Sequence, residues 1–350
     1  MLVILLAPHQ NCRYQASLEQ LSHAELEVML RALGEDCEVQ VRSYAGHNAL
    51  CVETQADEER LALELGRLSG VYMVCRAGEQ GALYPLNGRA GAYLGEDLSG
   101  ILKYKGKTSE SFTRLLLNIA RFSSDFAGAG HPLDVLDPVC GRGTTLMEAL
   151  NAGDNAFGMD VDEKALAELE AFIKRYFTYH RLKHTVKTRS LTAKGKPCRL
   201  WEAVTARDAA AYKAGDTRTL SVCCCDSLAA DKLLPRTRFH IIAGDLPYGV
   251  QHATHSGDAR TAFSPSGARK GTAIEQFTAA AIPVWARLLV PGGVMALSFN
   301  TYTLSRDALR GQMRDSGLEV LEGGAYDSME HWVEQAVNRD VAVARRPSGK

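Results

Sequence analysis

Leu133-Asp134-Val135-Leu136-Asp137-Pro138-Val139-Cys140-Gly141-Arg142-Gly143-Thr144 opens as a short apolar strand, closes that strand on a carboxylate and turns on two glycines. Residues 145–152 follow with apolar side chains at helical spacing. A strand, a tight turn and a helix in that order begin a β-α-β unit, which implies a parallel sheet covered by helices.

Downstream the alternation continues. Residues 155–159, 219–225, 238–244 and 294–299 read as further buried strands. Asp162 caps a long helix, and helices are expected over 272–289 and 305–316. Residues 317–326 and 333–345 read as two closing antiparallel strands. Four consecutive strands thus end in Asp, at Asp137, Asp160, Asp226 and Asp245. A single such Asp is commonly a helix cap. Four along one edge line the crevice in which open α/β sheets take their ligands.

Upstream, residues 1–76 run β-α-β-β-α-β, the ferredoxin-like order, with helices expected over 17–33 and 56–68. Glycine-rich residues 77–100 read as a linker. Residues 101–350 form the main domain, with Ser109 capping an amphipathic helix over 112–122 and a basic insertion over about 174–218. The fold class is α/β, a Rossmann-like domain behind a small α+β domain.

The 350 residues are 46% hydrophobic and 23% charged, the composition of an ordinary globular chain long enough for two domains. Net charge is −1, so nucleic acid would need a local patch. Residues 174–199 supply one, rich in Lys and Arg with no acid and with Tyr176, Phe177 and Tyr179 near its start. Lys183, Lys187, Arg189, Lys194, Lys196 and Arg199 are its candidate contacts. Arg269 and Lys270 join them from residues 250–271, a stretch rich in small and polar residues that reads as a lid.

Nine cysteines without C-x-x-C pairs read as reduced thiols of a cytoplasmic protein. The apolar opening residues lack a basic lead, and no run reaches membrane-spanning length. His180 and His184 share a helical face but have no third ligand, so no metal is expected.

A glycine turn after a strand could hold a dinucleotide pyrophosphate. Here Leu146 stands where that fingerprint wants a third glycine or alanine, and Asp137 would repel a pyrophosphate. A cationic ligand with an amino group would welcome the carboxylate. S-adenosylmethionine fits: Asp137 faces its charged groups, Asp160 its ribose hydroxyls, and Asp226-Ser227 its adenine amine. The candidate cofactor set is Thr108, Asp137, Pro138, Gly141, Gly143, Thr144, Asp160, Val161, Asp226, Ser227 and Asp245.

Gly244-Asp245-Leu246-Pro247-Tyr248-Gly249 puts an acceptor beside an aromatic ring at a strand end, which suits a flat substrate with an exocyclic amine. Asp245 accepts one amine hydrogen and the Leu246 carbonyl the other. Pro247 fixes the turn, and Tyr248 offers a stacking face.

Asp137-Pro138-Val139-Cys140-Gly141-Arg142-Gly143-Thr144 with Glu148-Ala149 resembles motif I of amino-methyltransferases, and Asp245-Leu246-Pro247-Tyr248 resembles their D/N-P-P-Y motif. Lys105-Gly106-Lys107-Thr108-Ser109-Glu110 ahead of them is similar to the THUMP-associated tRNA guanine-N2-methyltransferases. That resemblance implies a seven-stranded class I methyltransferase domain, S-adenosylmethionine as cofactor, and RNA, in particular tRNA, as partner. Two departures stand out. Residues 77–100 are too few for a THUMP module, and Leu246 replaces the family's usual proline. The alternatives are a DNA adenine-N6 or cytosine-N4 methyltransferase, a protein-glutamine methyltransferase, and a catalytically silent RNA-binding protein.

Overall fold

The computed structural model describes residues 1–9, 11–88, 91–104, 106–193, 195–248 and 270–349, with no side-chain description at 193, 196 and 270–272. The N-terminal part comprises β1 (Leu2–Leu6), α1 (Cys12–Ala32), β2 (Val39–Tyr44), β3 (His47–Val52), α2 (Glu58–Leu65), β4 (Val71–Ala77) and β5 (Leu83–Pro85). Its sheet runs β2-β3-β1-β4-β5, and all its pairings are antiparallel. The first four strands have the ferredoxin-like order. β5 comes from the glycine-rich stretch expected as plain linker. Helix α1 starts at Cys12, earlier than expected, because the Asn11 side chain accepts the N–H groups of Arg13 and Tyr14.

The remainder comprises α3 (Leu98–Ile101), α4 (Glu110–Phe122), β6 (Asp134–Asp137), α5 (Thr144–Asn151), β7 (Asn155–Asp160), α6 (Glu163–Tyr179), β8 (His184–Ala193), β9 (Lys196–Thr205), α7 (Ala209–Ala214), β10 (Arg218–Cys224), α8 (Ala230–Leu233), β11 (Phe239–Asp245), α9 (Lys270–Ala286), β12 (Leu289–Asn300), α10 (Arg306–Asp315), β13 (Glu319–Leu321), β14 (His331–Glu334) and β15 (Val337–Arg345). Its sheet runs β13-β15-β12-β11-β6-β7-β10-β9-β8, with β14 paired to β15. β10, β7, β6, β11 and β12 are parallel, and β15 enters antiparallel beside β12. With β13 at the edge, this is the seven-stranded Rossmann-like arrangement expected of a class I methyltransferase domain.

Two expectations change. Residues 317–326 form only the short β13 and a 3₁₀ turn over Gly324–Asp327, and β14 was not foreseen. The basic insertion is a β-ribbon, β8–β9, that extends the sheet beyond β10. β9 runs antiparallel to β10 with Arg199 opposite Cys224, so the start of β9 reaches past the end of β10, the strand that Asp226 follows.

Apolar side chains pack on both faces of the large sheet. One face buries Phe112, Leu115 and Ile119 of α4, Leu146 of α5 and Ile173 and Phe177 of α6. The other buries Ile282 and Trp285 of α9 and Leu309 of α10. The core of the N-terminal part is continuous with the first of these. At that seam the buried Glu25 of α1 accepts hydrogen bonds from the Ser69 backbone, at 3.0 Å, and from Asn118 of α4, at 2.6 Å. The two parts therefore share one core through α1 and α4.

Candidate active site

The four aspartates meet along one edge, as their strand ends require. Asp137, Asp160 and Asp245 close β6, β7 and β11, and Asp226 follows β10. β6 lies between β7 and β11, so Asp137 sits between Asp160 and Asp245.

On the β7 side the carboxylates are held mainly by backbone. Asp137 is 2% exposed, and its Oδ1 accepts the Val139 N–H at 3.0 Å. Burial pushes its carboxyl up to about 7, against the lowering hydrogen bonds from Val139 and Thr145; the charges of Asp160 and Asp245 add to the rise. Asp160 accepts the Gly141 N–H at 2.7 Å and the Asp162 N–H at 2.9 Å. Burial raises it too, and those backbone bonds offset part of the rise. Asp226 accepts the Leu228 N–H at 2.9 Å and stays exposed.

The glycine turn makes this possible. Gly143 has φ +80°, and a Cβ there would lie 2.6 Å from Leu169. Gly141 also lies in the left-handed region, which lets its N–H face Asp160. Thr144 opens α5 with its hydroxyl 2.9 Å from the Tyr104 hydroxyl. Val161, beside Asp160, is 64% exposed, and Ser227 is buried. Pro138 is close to the end of β11, where a Cβ on Gly244 would meet its Cδ at 3.5 Å. Three carboxylates around a glycine turn are an acceptor set for a ligand with hydroxyls and a positive charge. The residues present fit S-adenosylmethionine.

On the β11 side the carboxylate is held by side chains. Asp245 Oδ1 accepts from the hydroxyls of Tyr248 and of Ser298, the latter at 2.7 Å. Its Oδ2 accepts from Thr108 Oγ1 at 2.5 Å and faces Arg339 Nη2 at 3.5 Å. Thr108, expected at the cofactor, is thus a partner of Asp245. Tyr248 was expected to offer only its ring. Its hydroxyl also accepts from Arg339 Nε at 2.7 Å. Burial, followed by the Asp245 charge, pushes the phenol well above its ordinary value, so it is a neutral donor.

Leu246 stands where the resemblance has proline, a replacement that would leave a less rigid loop. Instead its N–H donates to the Ser298 carbonyl at 2.8 Å, extending the β11–β12 pairing one residue past Asp245, and its side chain is 1% exposed. Proline has no N–H and could not make that bond. Pro247 is exposed.

Arg339 and Ser298 were not among the expected residues. Arg339 is 6% exposed, with its guanidinium 4.4 Å from the Phe112 ring centre and 5.5 Å from that of Tyr248. Burial alone would lower its pKa, but Asp245 and Tyr248 more than offset this and leave it raised. His331 of β14 packs against Phe112 at 5.3 Å and against Tyr14 of α1 at 6.2 Å. Burial, reinforced by the Arg339 charge, takes it down to about 4, although its bond to the Met329 carbonyl opposes the fall. The N-terminal part therefore reaches the wall of the site through Tyr14.

Of the basic candidates, Lys183, Lys187 and Arg189 are exposed on β8 or just before it. Arg189 faces Glu202 at 3.7 Å. Arg199 is committed to a two-pronged pair with Glu170, both bonds 2.5 Å. Lys194 and residues 250–269 of the expected lid, Arg269 among them, lie outside the described residues, as do the side chains of Lys196 and Lys270. Among the described residues there is no cluster of three potential metal ligands and no helix long and apolar enough to cross a membrane.

No protein-family model matches this chain, and no curated protein does. Solved structures similar to it include TrmN from Thermus thermophilus, at 15% identity over 98% of this chain and 81% of that one, with a TM-score of 0.38. A methyltransferase from Pyrococcus furiosus is 12% identical over 70% of this chain and 88% of that one, with a TM-score of 0.41. Magnesium protoporphyrin IX methyltransferase from Synechocystis, with bound SAM, is 13% identical over 71% and 90%, with a TM-score of 0.38.

Proposed function

We propose that the protein is an S-adenosylmethionine-dependent methyltransferase that methylates an exocyclic base nitrogen of RNA, with guanine-N2 of tRNA as the favoured target. Asp245 carries this reading: a carboxylate fixed from two sides at a strand end, beside a pocket suited to a cationic cofactor.

Asp137, Asp160 and Asp226 would hold the cofactor, with Gly141 and Gly143 admitting it close to the backbone. When bound it supplies an electrophilic methyl on a sulfonium: the N–C bond forms as the C–S bond breaks and its electron pair returns to sulfur. The protein's own part is to prepare the nucleophile. A base amine is a weak one because its lone pair is delocalised into the ring. Asp245 and the Leu246 carbonyl accept its two hydrogens and favour a pyramidal nitrogen. They also stabilise the positive charge that develops there before a proton leaves to solvent. Losing one oriented partner in such a site costs about 3 kcal/mol. Exposed Lys187 and Arg189 on the ribbon suit contact with a phosphate backbone.

Mass analysis of modified nucleosides in total RNA and DNA, from cells with and without the gene, tests the reading. Loss of an N-methylated base from RNA is expected. A change confined to DNA, or none in either pool, would remove RNA as the substrate.

A further inference from the structure

We infer that Arg339 is a positioning residue for the methyl-transfer reaction. It holds Asp245 aimed, and it retains the Tyr248 hydroxyl when a target amine takes that hydroxyl's place on the carboxylate. This rests on the reading of Asp245 given above.

Each Asp245 oxygen already faces two groups: Tyr248 and Ser298 at Oδ1, Thr108 and Arg339 at Oδ2. A carboxylate has about four lone-pair sites, so an arriving amine has to displace a donor. Tyr248 is the one with a ready second partner, because Arg339 Nε already donates to its oxygen at 2.7 Å. When the phenol proton turns away from Asp245, the oxygen stays held by the guanidinium. The amine then meets a free lone pair on a carboxylate that Ser298, Thr108 and Arg339 still aim.

Arg339 is built for that role. It lies on β15, opposite Asn300 of β12 and His331 of β14, so its backbone is fixed from both sides. Phe112, one turn into α4, supports the guanidinium, and Thr108 directly precedes that helix's cap, Ser109. The start of α4 therefore places both the platform under Arg339 and a donor to Asp245. A buried guanidinium is costly unless paired. Among the described residues, its one carboxylate within ion-pair distance is Asp245.

The test uses the full-length protein, labelled S-adenosylmethionine, and tRNA isolated from cells lacking the gene. Arg339→Met should lower kcat about 100-fold while cofactor Kd and KM for RNA stay within about threefold. Arg339→Lys should recover part of the loss, and added methylguanidinium should partly rescue Arg339→Ala. Arg339→Met on an Asp245→Asn background should slow the reaction little further, because both act at one place. A near-normal kcat, a loss confined to KM, or losses that multiply in the double variant would overturn the inference. Melting temperatures of wild type, Arg339→Met, Asp245→Asn and the double variant give a readout independent of substrate. Non-additive shifts are expected, and additive shifts would overturn the inference. If the wild-type protein transfers no methyl group to this RNA, the proposed function fails, and the melting cycle still decides on Arg339.

Discussion

Asp160 and Asp245 end the two strands that flank β6, yet their carboxylates are held by different means. Asp160 takes its hydrogen bonds from the backbone N–H groups of Gly141 and Asp162, in turns next to strand ends. Asp245 takes its bonds from side chains: Tyr248 three residues on, and Thr108, Ser298 and Arg339 from widely separated parts of the chain. A backbone-held pocket depends on the conformation of a turn. A pocket held by side chains depends on packing between distant elements. The first half should fail when a backbone angle is denied, the second when a single hydroxyl or guanidinium is removed.

The largest effect should separate the halves by what is lost. Asp245→Ala should lower kcat by about 10²–10³, with cofactor affinity within a few-fold of wild type. Asp160→Ala should instead weaken cofactor binding, measured by calorimetry. If both variants lose the same quantity, the division into halves is wrong.

Gly143→Val attacks the backbone-held half. A left-handed φ costs a side chain about 1–2 kcal/mol, and a Cβ 2.6 Å from Leu169 adds overpacking of about 1–3 kcal/mol. Thermal unfolding should show the lowered stability, and cofactor binding should fall with it. A variant of unchanged melting temperature would show that the turn tolerates the substitution.

Protonation sharpens the same half. Asp137 is raised to about 7 chiefly by burial, so below that pH it is neutral and attracts a cationic cofactor less. Cofactor affinity should fall up to about tenfold per unit as pH drops below 7, and Asp137→Asn should abolish that slope. The unliganded protein should show the opposite trend. A carboxyl whose folded value lies above its unfolded one contributes most stability below the unfolded value, and loses it as pH rises towards 7. An affinity that is flat with pH in the wild type would contradict the placement of the cofactor's charge at Asp137.

In the half held by side chains, Ser298→Ala removes one donor to Asp245. A loss of about 1 kcal/mol in holding Asp245 is expected, read as roughly a fivefold drop in kcat. The smallest effect belongs to the ribbon. Replacing Lys187 and Arg189 with Ala should reduce the salt dependence of RNA binding by about two in slope, and affinity only modestly at low salt. RNA binding with an unchanged salt slope would move the backbone contact elsewhere.

The same contrast explains what was legible in the sequence. Asp137, Asp160, Asp226 and Asp245 each close an apolar run, so the strand pattern alone brings them to one edge. Gly141 and Gly143 announce a turn. Arg339 lies between Asn338 and Asp340, a polar triplet that reads as the exposed end of a strand. Its burial follows from its phase with Val337, Val341 and Val343, the one signal that could have found it. Nothing local pairs it with Asp245. Ser298 sits in a run buried on both faces, where a serine resembles core. The β8–β9 ribbon escaped because β8 is polar on both sides and has no apolar alternation. The role of Leu246 was legible only in part. Its carbonyl follows from the motif, but the bond from its N–H to the Ser298 carbonyl depends on the neighbouring strand.

The most direct test supplies purified protein with S-adenosylmethionine carrying a trideuterated methyl group, and with tRNA from cells lacking the gene. Digested nucleosides are then read by mass spectrometry. The labelled methyl is expected on an exocyclic base nitrogen, chiefly guanine-N2, with wild-type protein and to be absent with Asp245→Ala. Label on a ring carbon, on ribose or on protein, or undiminished label with Asp245→Ala, would contradict the assignment of Asp245 as the acceptor of a target amine.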